Sequence, residues 1–144
     1  MEPIDQNRPK EILLVEDSSS DAKMVMMALN KSSRRKRVIS SMDGAEAMDY
    51  LKKLKDGAKP HLILLDLNMP KKNGLQVLAE CKGDARLKSI PIVVFTTSEF
   101  GNEAKRCYEL GANSFISKPF ELDAFQRAIE LIEDYWLGLS AAAV

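Results

Sequence analysis

The stretch that decides the fold is Pro60-His61-Leu62-Ile63-Leu64-Leu65-Asp66-Leu67-Asn68-Met69-Pro70. Four consecutive apolar residues lead directly into a single carboxylate, that of Asp66, and a proline stands at each end. A short unbroken apolar run predicts a strand buried on both faces, as in a parallel sheet covered by helices. Open α/β sheets form their ligand crevice at the carboxyl ends of such strands. Asp66 is therefore a candidate functional carboxylate, and its alternative is a cap for the following turn.

Further apolar runs lie on either side of this stretch, and helical patterns separate them. We predict strands at 11–15, 38–41, 62–65, 91–95 and 113–117, and helices at 22–30, 45–55, 75–81, 103–110 and 121–136. Regular alternation of strands and helices predicts repeated βαβ units. The expected fold is thus an α/β domain with a five-stranded parallel sheet and helices on both faces.

Length and composition bound the class of protein. The 144 residues predict one domain, with a polar N-terminal arm at 1–10 and a short C-terminal tail at 137–144. Because 21 basic residues balance 21 acidic ones, net charge gives no reason to expect nucleic acid or an anionic membrane as a partner. No apolar run approaches the roughly 20 residues that span a bilayer. We expect neither a membrane nor a nucleic-acid partner.

The cysteines and the histidine narrow the chemistry. Cys81 and Cys107 are far apart and lack a CxxC context, and the N-terminus has no signal-peptide core. Reduced, partly buried thiols in a cytoplasmic protein are the simplest interpretation. A single histidine, His61, excludes a metal site built from several histidines.

Polar and charged residues follow four of the predicted strands: Glu16 and Asp17, Asp66, Thr96, and Lys118. The carboxyl ends of parallel strands share one edge of the sheet, so these side chains converge. Clustered carboxylates repel one another unless a cation lies among them, and hard oxygen ligands suit Mg²⁺. A lysine and a hydroxyl beside the metal complete a site for a phosphoryl group, which an aspartate can accept as an acyl phosphate. The alternative, strand-end caps and surface charges, requires four coincidences in the right order.

The same residues carry a resemblance to a known family. The matching motifs are Val15-Glu16-Asp17, Leu64-Leu65-Asp66-Leu67-Asn68-Met69-Pro70 with Gly74, Thr96, and Lys118-Pro119-Phe120. Over about residues 10–136 the chain resembles a response-regulator receiver domain of two-component signalling. The resemblance implies a flavodoxin-like doubly wound sheet in the order 2-1-3-4-5 with five helices.

The resemblance also implies a role for each matching residue. Asp66 corresponds to the phosphoacceptor, which takes its phosphoryl group from the phosphohistidine of a sensor histidine kinase. Mg²⁺ or Mn²⁺ would be held by Glu16, Asp17, Asp66 and the backbone carbonyl of Asn68. Thr96 and Lys118 would contact the phosphoryl oxygens.

Two further features belong to the same resemblance. Phe115 occupies the position of the family's switch aromatic, which turns inward when Thr96 is drawn to the phosphoryl group. The Lys118–Pro119 peptide bond would be cis, which is possible because X–Pro bonds have little preference for trans.

A narrower resemblance joins the chain to the single-domain regulators that partner bacterial phytochromes. It rests on Thr97-Ser98 after Thr96 and on the ending Ile132-Glu133-Asp134-Tyr135-Trp136-Leu137. With only a short tail after Trp136, we expect a stand-alone regulator whose output passes through a surface of this domain.

The last predicted helix offers a candidate for that surface. One apolar stripe, formed by Phe125, Ile129, Ile132 and Trp136, suffices to dock the helix on the sheet. A neighbouring stripe widens the apolar arc and predicts a homodimer or partner surface, unless loops or the tail cover it. Its members are Ala124, Ala128, Leu131 and Tyr135.

Two other functions share this fold. A flavodoxin-like cofactor binder would carry a phosphate-cradling loop after the first strand, and Ser18-Ser19-Ser20 imitates one weakly beside the repelling acids Glu16 and Asp17. A receiver-like scaffold would bind partners without phosphorylation, but it has no need of the complete set of acids, hydroxyl and lysine.

Overall fold

Alternating strands and helices make up the chain, as the sequence predicts. The structure, a computed structural model, describes residues 9–55, 57–97 and 101–140. Within these ranges the elements are β1 (Lys10–Val15), α1 (Ser19–Asn30), β2 (Lys36–Ser41), α2 (Gly44–Lys52), β3 (Leu62–Leu65), α3 (Gly74–Gly83), β4 (Ile92–Thr96), α4 (Asn102–Glu109), β5 (Ser114–Ser117) and α5 (Leu122–Glu133), followed by a π-helical segment, Asp134–Leu139.

The sheet has five strands in the order β2-β1-β3-β4-β5, and every pairing is parallel. In the register, Val15 pairs with Leu65 and Leu65 pairs with Val94. The predicted flavodoxin-like fold and strand order are confirmed. β3, which carries Asp66 at its end, therefore lies at the centre of the sheet.

Each face of the sheet carries its own apolar core, because side chains along a buried strand alternate between the faces. Leu13 and Ile63 point to the face covered mainly by α2 and α3, whereas Ile12 and Leu62 point to the face covered by α1 and α5. Burial of both faces explains why the strands read as unbroken apolar runs. It also holds the carboxyl ends of the strands in fixed relative positions.

Helix starts lie directly beyond those strand ends. Ser18, Asp43 and Asn73 are N-cap residues whose side chains accept hydrogen bonds from the backbone N–H groups of Asp21, Glu46 and Gln76. Such caps fix the first helical turn. The positive ends of the helix dipoles consequently surround the edge of the sheet at which Glu16, Asp66 and Thr96 lie.

The C-terminal boundary differs from the prediction. The predicted tail starts too early at residue 137, because the chain stays helical through Leu139 and Leu137 is buried. Glu133, at the end of α5, is buried and accepts hydrogen bonds from Ser32 Oγ at 2.6 Å and from an Arg34 guanidinium nitrogen at 2.7 Å. Lys36 lies 3.3 Å from the same carboxylate. Two residues of the basic segment Arg34-Arg35-Lys36-Arg37 thus anchor the last helix.

The helices of the described ranges are all too short or too polar to cross a bilayer.

Gly74, the first residue of α3, packs against the backbone around Asp66. Its N–H donates to the carbonyl of Leu67 at 3.1 Å. A Cβ at this position would lie 2.4 Å from the carbonyl oxygen of Asp66 and 2.6 Å from the Cα of Leu67. Backbone atoms directly after the central strand β3 cannot move aside as a flexible side chain can.

We therefore expect Gly74→Ala to lower the free energy of unfolding by about 1–3 kcal/mol, the usual cost of overpacking. The matched control is Gly83→Ala at the other end of α3, where an added Cβ meets no atom within 4 Å. This control should be neutral or slightly stabilising, because alanine is the better helix former. Urea unfolding midpoints measure both, and equal midpoints for the two variants would contradict the packing described here.

Candidate functional site at the carboxyl edge of the sheet

Backbone hydrogen bonds extend the sheet one residue beyond several strands and so fix the site residues. The N–H of Glu16 donates to the backbone carbonyl of Ser41 at 2.9 Å, and the N–H of Asp66 donates to the backbone carbonyl of Val15 at 3.0 Å. The N–H of Lys118 donates to Thr96 at 2.7 Å. The backbone alone therefore holds these residues side by side, although they are distant in sequence.

Three carboxylates meet at this edge. Glu16, Asp17 and Asp66 each offer an oxygen, and these oxygens lie within 4.8 Å of one another. Glu16 is 3% exposed and Asp66 is 6% exposed, so neither charge is well solvated. Like charges at this separation oppose full ionisation unless cations compensate them. The structure brings together the three acids that the sequence singles out.

Lys118 supplies one such cation. Its side chain is 4% exposed and its ammonium pairs closely with Glu16, lies 2.8 Å from Asp21 Oδ2 and lies 3.9 Å from Asp66 Oδ2. Burial lowers the pKa of Lys118, but the hydrogen bonds to Asp21 and Glu16 and the charge of Asp66 outweigh it and raise the pKa above its ordinary value. Lys118 is thus a permanent positive charge within the cluster.

One ammonium does not compensate the whole cluster. Burial raises the pKa of Glu16 to about 7, an effect that the hydrogen bond from Lys118 opposes and the charge of Asp66 reinforces. The second oxygen of Glu16 accepts a 3.2 Å hydrogen bond from the N–H of Ser18. At neutral pH the folded cluster therefore has room for a further positive charge.

Asp66 is the acid best placed to bind a further cation. Its Oδ1 is buried and has no hydrogen-bond partner among the residues that the structure describes. Buried polar atoms are nearly always paired, so an unpaired one calls for a partner. Carboxylate oxygens are the ligands that Mg²⁺ and Mn²⁺ favour. The three acids fit a divalent cation.

The remaining predicted site residues lie close by. Thr96, the last residue of β4, is fully buried one strand away from Asp66, and Asn68 is exposed in the loop after β3. Phe115 in β5 is buried and its side chain packs into the core on the face of α2 and α3. The roles of these three residues stay predictions. Ser98 lies outside the described residues.

The expectation of a cis peptide bond before Pro119 is wrong. The Lys118–Pro119 peptide is trans. Trans is the form that an X–Pro bond favours by about 0.5–1 kcal/mol in the absence of other constraints.

Asp21 is the residue that the sequence did not single out. It lies in the first turn of α1. Its carboxylate, however, accepts a hydrogen bond from the ammonium of Lys118. The available signal was its place in a helix that starts at the functional edge of the sheet.

Comparisons with known proteins agree with this geometry. The family model of the response regulator receiver domain matches residues 12–130. The chain belongs to this family. It is accordingly a phosphoacceptor domain of two-component signalling.

Among curated relatives, the response regulator Rcp1 of Synechocystis sp. is 41% identical over 136 residues, which cover 92% of each chain. The probable methanogenesis regulatory protein FilR2 of Methanothrix harundinacea is 39% identical over 129 residues, covering 88% of this chain and 83% of FilR2.

Solved structures give the same picture. The structure of the phosphorylated cyanobacterial phytochrome response regulator RcpA matches with a TM-score of 0.89 at 38% identity, covering 95% of this receiver domain and 100% of RcpA. The Mn²⁺-bound form of Rcp1 matches with a TM-score of 0.88 at 40% identity, covering 94% and 100% of the two chains.

We expect Asp17→Asn to weaken the binding of Mg²⁺ to the receiver domain by about tenfold or more, because it removes one charged ligand oxygen from the cluster. Asp17 is the least buried of the three acids, so this variant should still fold. Isothermal titration calorimetry measures the dissociation constant. Asp49→Asn, on the exposed side of α2, is the control and should bind Mg²⁺ as the unmodified protein does. Equal binding by both variants would contradict the proposed metal position.

Proposed function

We propose that Asp66 is the phosphoacceptor and that it takes its phosphoryl group from the phosphohistidine of a sensor histidine kinase. The observation that carries the proposal is the buried Oδ1 of Asp66, which has no hydrogen-bond partner in the described part of the chain and lies beside two other acids and the ammonium of Lys118. Within a receiver domain, the position of this carboxylate and the free lone pairs of its oxygen suit a nucleophile.

The chemistry follows from the residues around Asp66. A carboxylate oxygen of Asp66 forms a P–O bond while the P–N bond to the histidine breaks, and the imidazole leaves with the bonding pair. A bound Mg²⁺ or Mn²⁺ would neutralise charge on the carboxylates and the phosphoryl group. Lys118 donates to a phosphoryl oxygen from its position 3.9 Å from Asp66. Glu16, Asp17 and the carbonyl of Asn68 complete the proposed set of ligands with Asp66.

The same site accounts for the intrinsic chemistry that we propose for the domain. Small phosphodonors can deliver a phosphoryl group to Asp66 without a kinase, and attack by water on the acyl phosphate returns the free carboxylate. No separate active site is needed for self-phosphorylation or autodephosphorylation.

Thr96 and Phe115 are proposed to report the phosphorylation. Thr96 is fully buried at the end of β4, and Phe115 is buried on the adjacent strand β5. The hydroxyl of Thr96 would bond the phosphoryl group, and the aromatic ring of Phe115 lies on the next strand. Phosphorylation can therefore shift this pair of side chains between two arrangements.

A phytochrome-type kinase is the proposed partner. The support is the similarity to the cyanobacterial phytochrome response regulator RcpA and to Rcp1, each at about two-fifths identity over nearly the whole chain. The comparable identity to FilR2 makes kinases of other pathways the natural comparison in a phosphotransfer panel.

Location and domain organisation complete the proposal. We place the protein in the cytoplasm, since Cys81 and Cys107 are buried free thiols, as expected in a reducing compartment. One receiver domain is the proposed unit, because a single sheet carries the apolar cores on both of its faces.

The alternatives lack this support. A flavodoxin-like cofactor binder would place phosphate against Ser18, next to the buried carboxylate of Glu16, which repels it. A scaffold that is never phosphorylated would not need the acids and Lys118 to be assembled and buried together.

We expect radioactive phosphate to pass from a phosphorylated histidine kinase to the unmodified protein and to Asp49→Asn, which changes an exposed acid on α2. Transfer to Asp66→Asn should be lost, because an amide oxygen is too weak a nucleophile for phosphorus. Gel autoradiography measures the label. Equal labelling of the Asp66 variant would overturn the assignment.

The output surface is proposed to be the exposed side of α5, occupied by a second copy of the chain. Leu131 and Tyr135 are each 52% exposed and border a groove between α5 and β5, the edge strand that follows β4 in the sheet. Neighbouring exposed apolar side chains of this kind mark interaction surfaces. Leu122, by contrast, lies near the start of the same helix and about two and a half turns from Leu131, hence on the opposite side.

We expect Leu131→Glu and Tyr135→Ala to shift a dimer towards monomer by at least about tenfold in dissociation constant, as truncation of a central apolar contact does. The control is Leu122→Glu, which places the same charge at an equally exposed leucine, 51% against 52%. Analytical ultracentrifugation with and without acetyl phosphate measures the equilibrium. A shift of the same size in the Leu122 variant, or none in the other two, would refute the surface.

A further inference from the structure

A fourth carboxylate, that of Asp21, lies at the site without belonging to the group of three acids. Asp21 is in the first turn of α1, where its own N–H donates to the N-cap Ser18 at 3.2 Å. Its Oδ2 accepts a 2.8 Å hydrogen bond from the ammonium of Lys118. The bond joins positions 97 residues apart in the chain.

Lys118 and a divalent cation depend on the same carboxylates. The ammonium pairs with Glu16 and lies 3.9 Å from Asp66, and both acids belong to the group that fits a metal. Two cations competing for one pair of carboxylates weaken each other's binding. A cation entering the site must therefore share Glu16 and Asp66 with Lys118, whose positive charge repels it.

Lys118 cannot simply lose its partners, because its side chain is 4% exposed and a buried unpaired charge is costly. Asp21 provides a carboxylate outside the group of three acids. Its side chain is 28% exposed, so it is itself partly solvated while it holds the buried ammonium.

We propose that Asp21 is a positioning residue, which holds Lys118 at the edge of the site and thereby leaves Glu16 and Asp66 available to the divalent cation. The proposal rests on the function proposed above for Asp66 and Lys118, and it adds a residue that acts only through Lys118. Without Asp21, the ammonium has Glu16 and Asp66 as its carboxylate partners and competes with the metal for both.

A simpler role for Asp21 makes a different prediction. An acid in the first turn of a helix stabilises that helix by its interaction with the dipole. Asp123 is an acid in the first turn of α5 and is exposed. If Asp21 acted only in this way, Asp21→Asn would change stability as Asp123→Asn does, and the identity of residue 118 would not matter.

The test is a double-mutant cycle on the full chain, with the Mg²⁺ dissociation constant measured by isothermal titration calorimetry. In the unmodified background, Asp21→Asn should weaken Mg²⁺ binding by about tenfold, within the range of coupling between contacting residues. In a Lys118→Met background the same change should matter by less than about twofold, the usual limit for uncoupled sites. Lys118→Met alone should tighten Mg²⁺ binding, because it removes the competing cation.

Three further variants sharpen the cycle. Asp123→Asn removes one negative charge from the start of another helix and should leave Mg²⁺ binding within about twofold. Asp21→Glu keeps the carboxylate and should restore most of the affinity. Lys118→Gln replaces Lys118→Met if circular dichroism shows that the methionine variant does not fold.

The outcomes separate this proposal from the proposed function. Equal weakening by Asp21→Asn in both backgrounds would reduce Asp21 to a long-range charge and overturn the proposal, as would unchanged Mg²⁺ binding in the unmodified background. Failure of the proposed function would appear instead as absence of label on Asp66 in the unmodified protein, whatever the calorimetric cycle shows.

Discussion

The structure depends on the compensation of negative charge at one buried edge of the sheet. Glu16, Asp17 and Asp66 lie within 4.8 Å of one another, and Lys118 is a cation among them. Uncompensated charges in such a place would unfold the edge or become protonated. Three features hold these groups together despite their repulsion: the backbone hydrogen bonds that continue past Val15 and Thr96, the helix starts around them and the two apolar cores.

The two cores explain why the edge can bear this repulsion. Each central strand is buried on both faces, so the carboxyl ends of β1, β3 and β4 cannot separate without exposing apolar side chains on two sides of the sheet. Gly74 adds a local constraint, because α3 begins in direct contact with the backbone of Asp66 and Leu67. The position of Asp66 is thus determined by packing and not by the charges themselves.

The fold and most of the site could be predicted because their signals are local in sequence. An apolar run followed by an acid predicts a buried strand that ends at a ligand crevice, and the alternation of strands with helices predicts the parallel sheet. The contacts of Asp21 with Lys118 and of Glu133 with Arg34 and Lys36 could not be predicted. They join residues about a hundred positions apart, and the charges concerned look like ordinary surface residues until the fold places them. The helical continuation to Leu139 was missed for the same reason, since the anchor of the last helix lies in a distant basic segment.

Charge compensation also links stability to signalling. Burial raises the pKa of Glu16 from 4.5 to about 7, so the folded domain binds this proton more tightly than the unfolded chain does. The resulting stabilisation is complete below the unfolded value and is lost as the pH rises through about 7. A divalent cation that binds only the folded cluster replaces the proton as the compensating charge and restores stability by mass action. A bound divalent cation, which lets the folded cluster stay ionised at neutral pH, would therefore also prepare Asp66 for the proposed phosphorylation. The proposed positioning of Lys118 by Asp21 would then set how readily that cation binds.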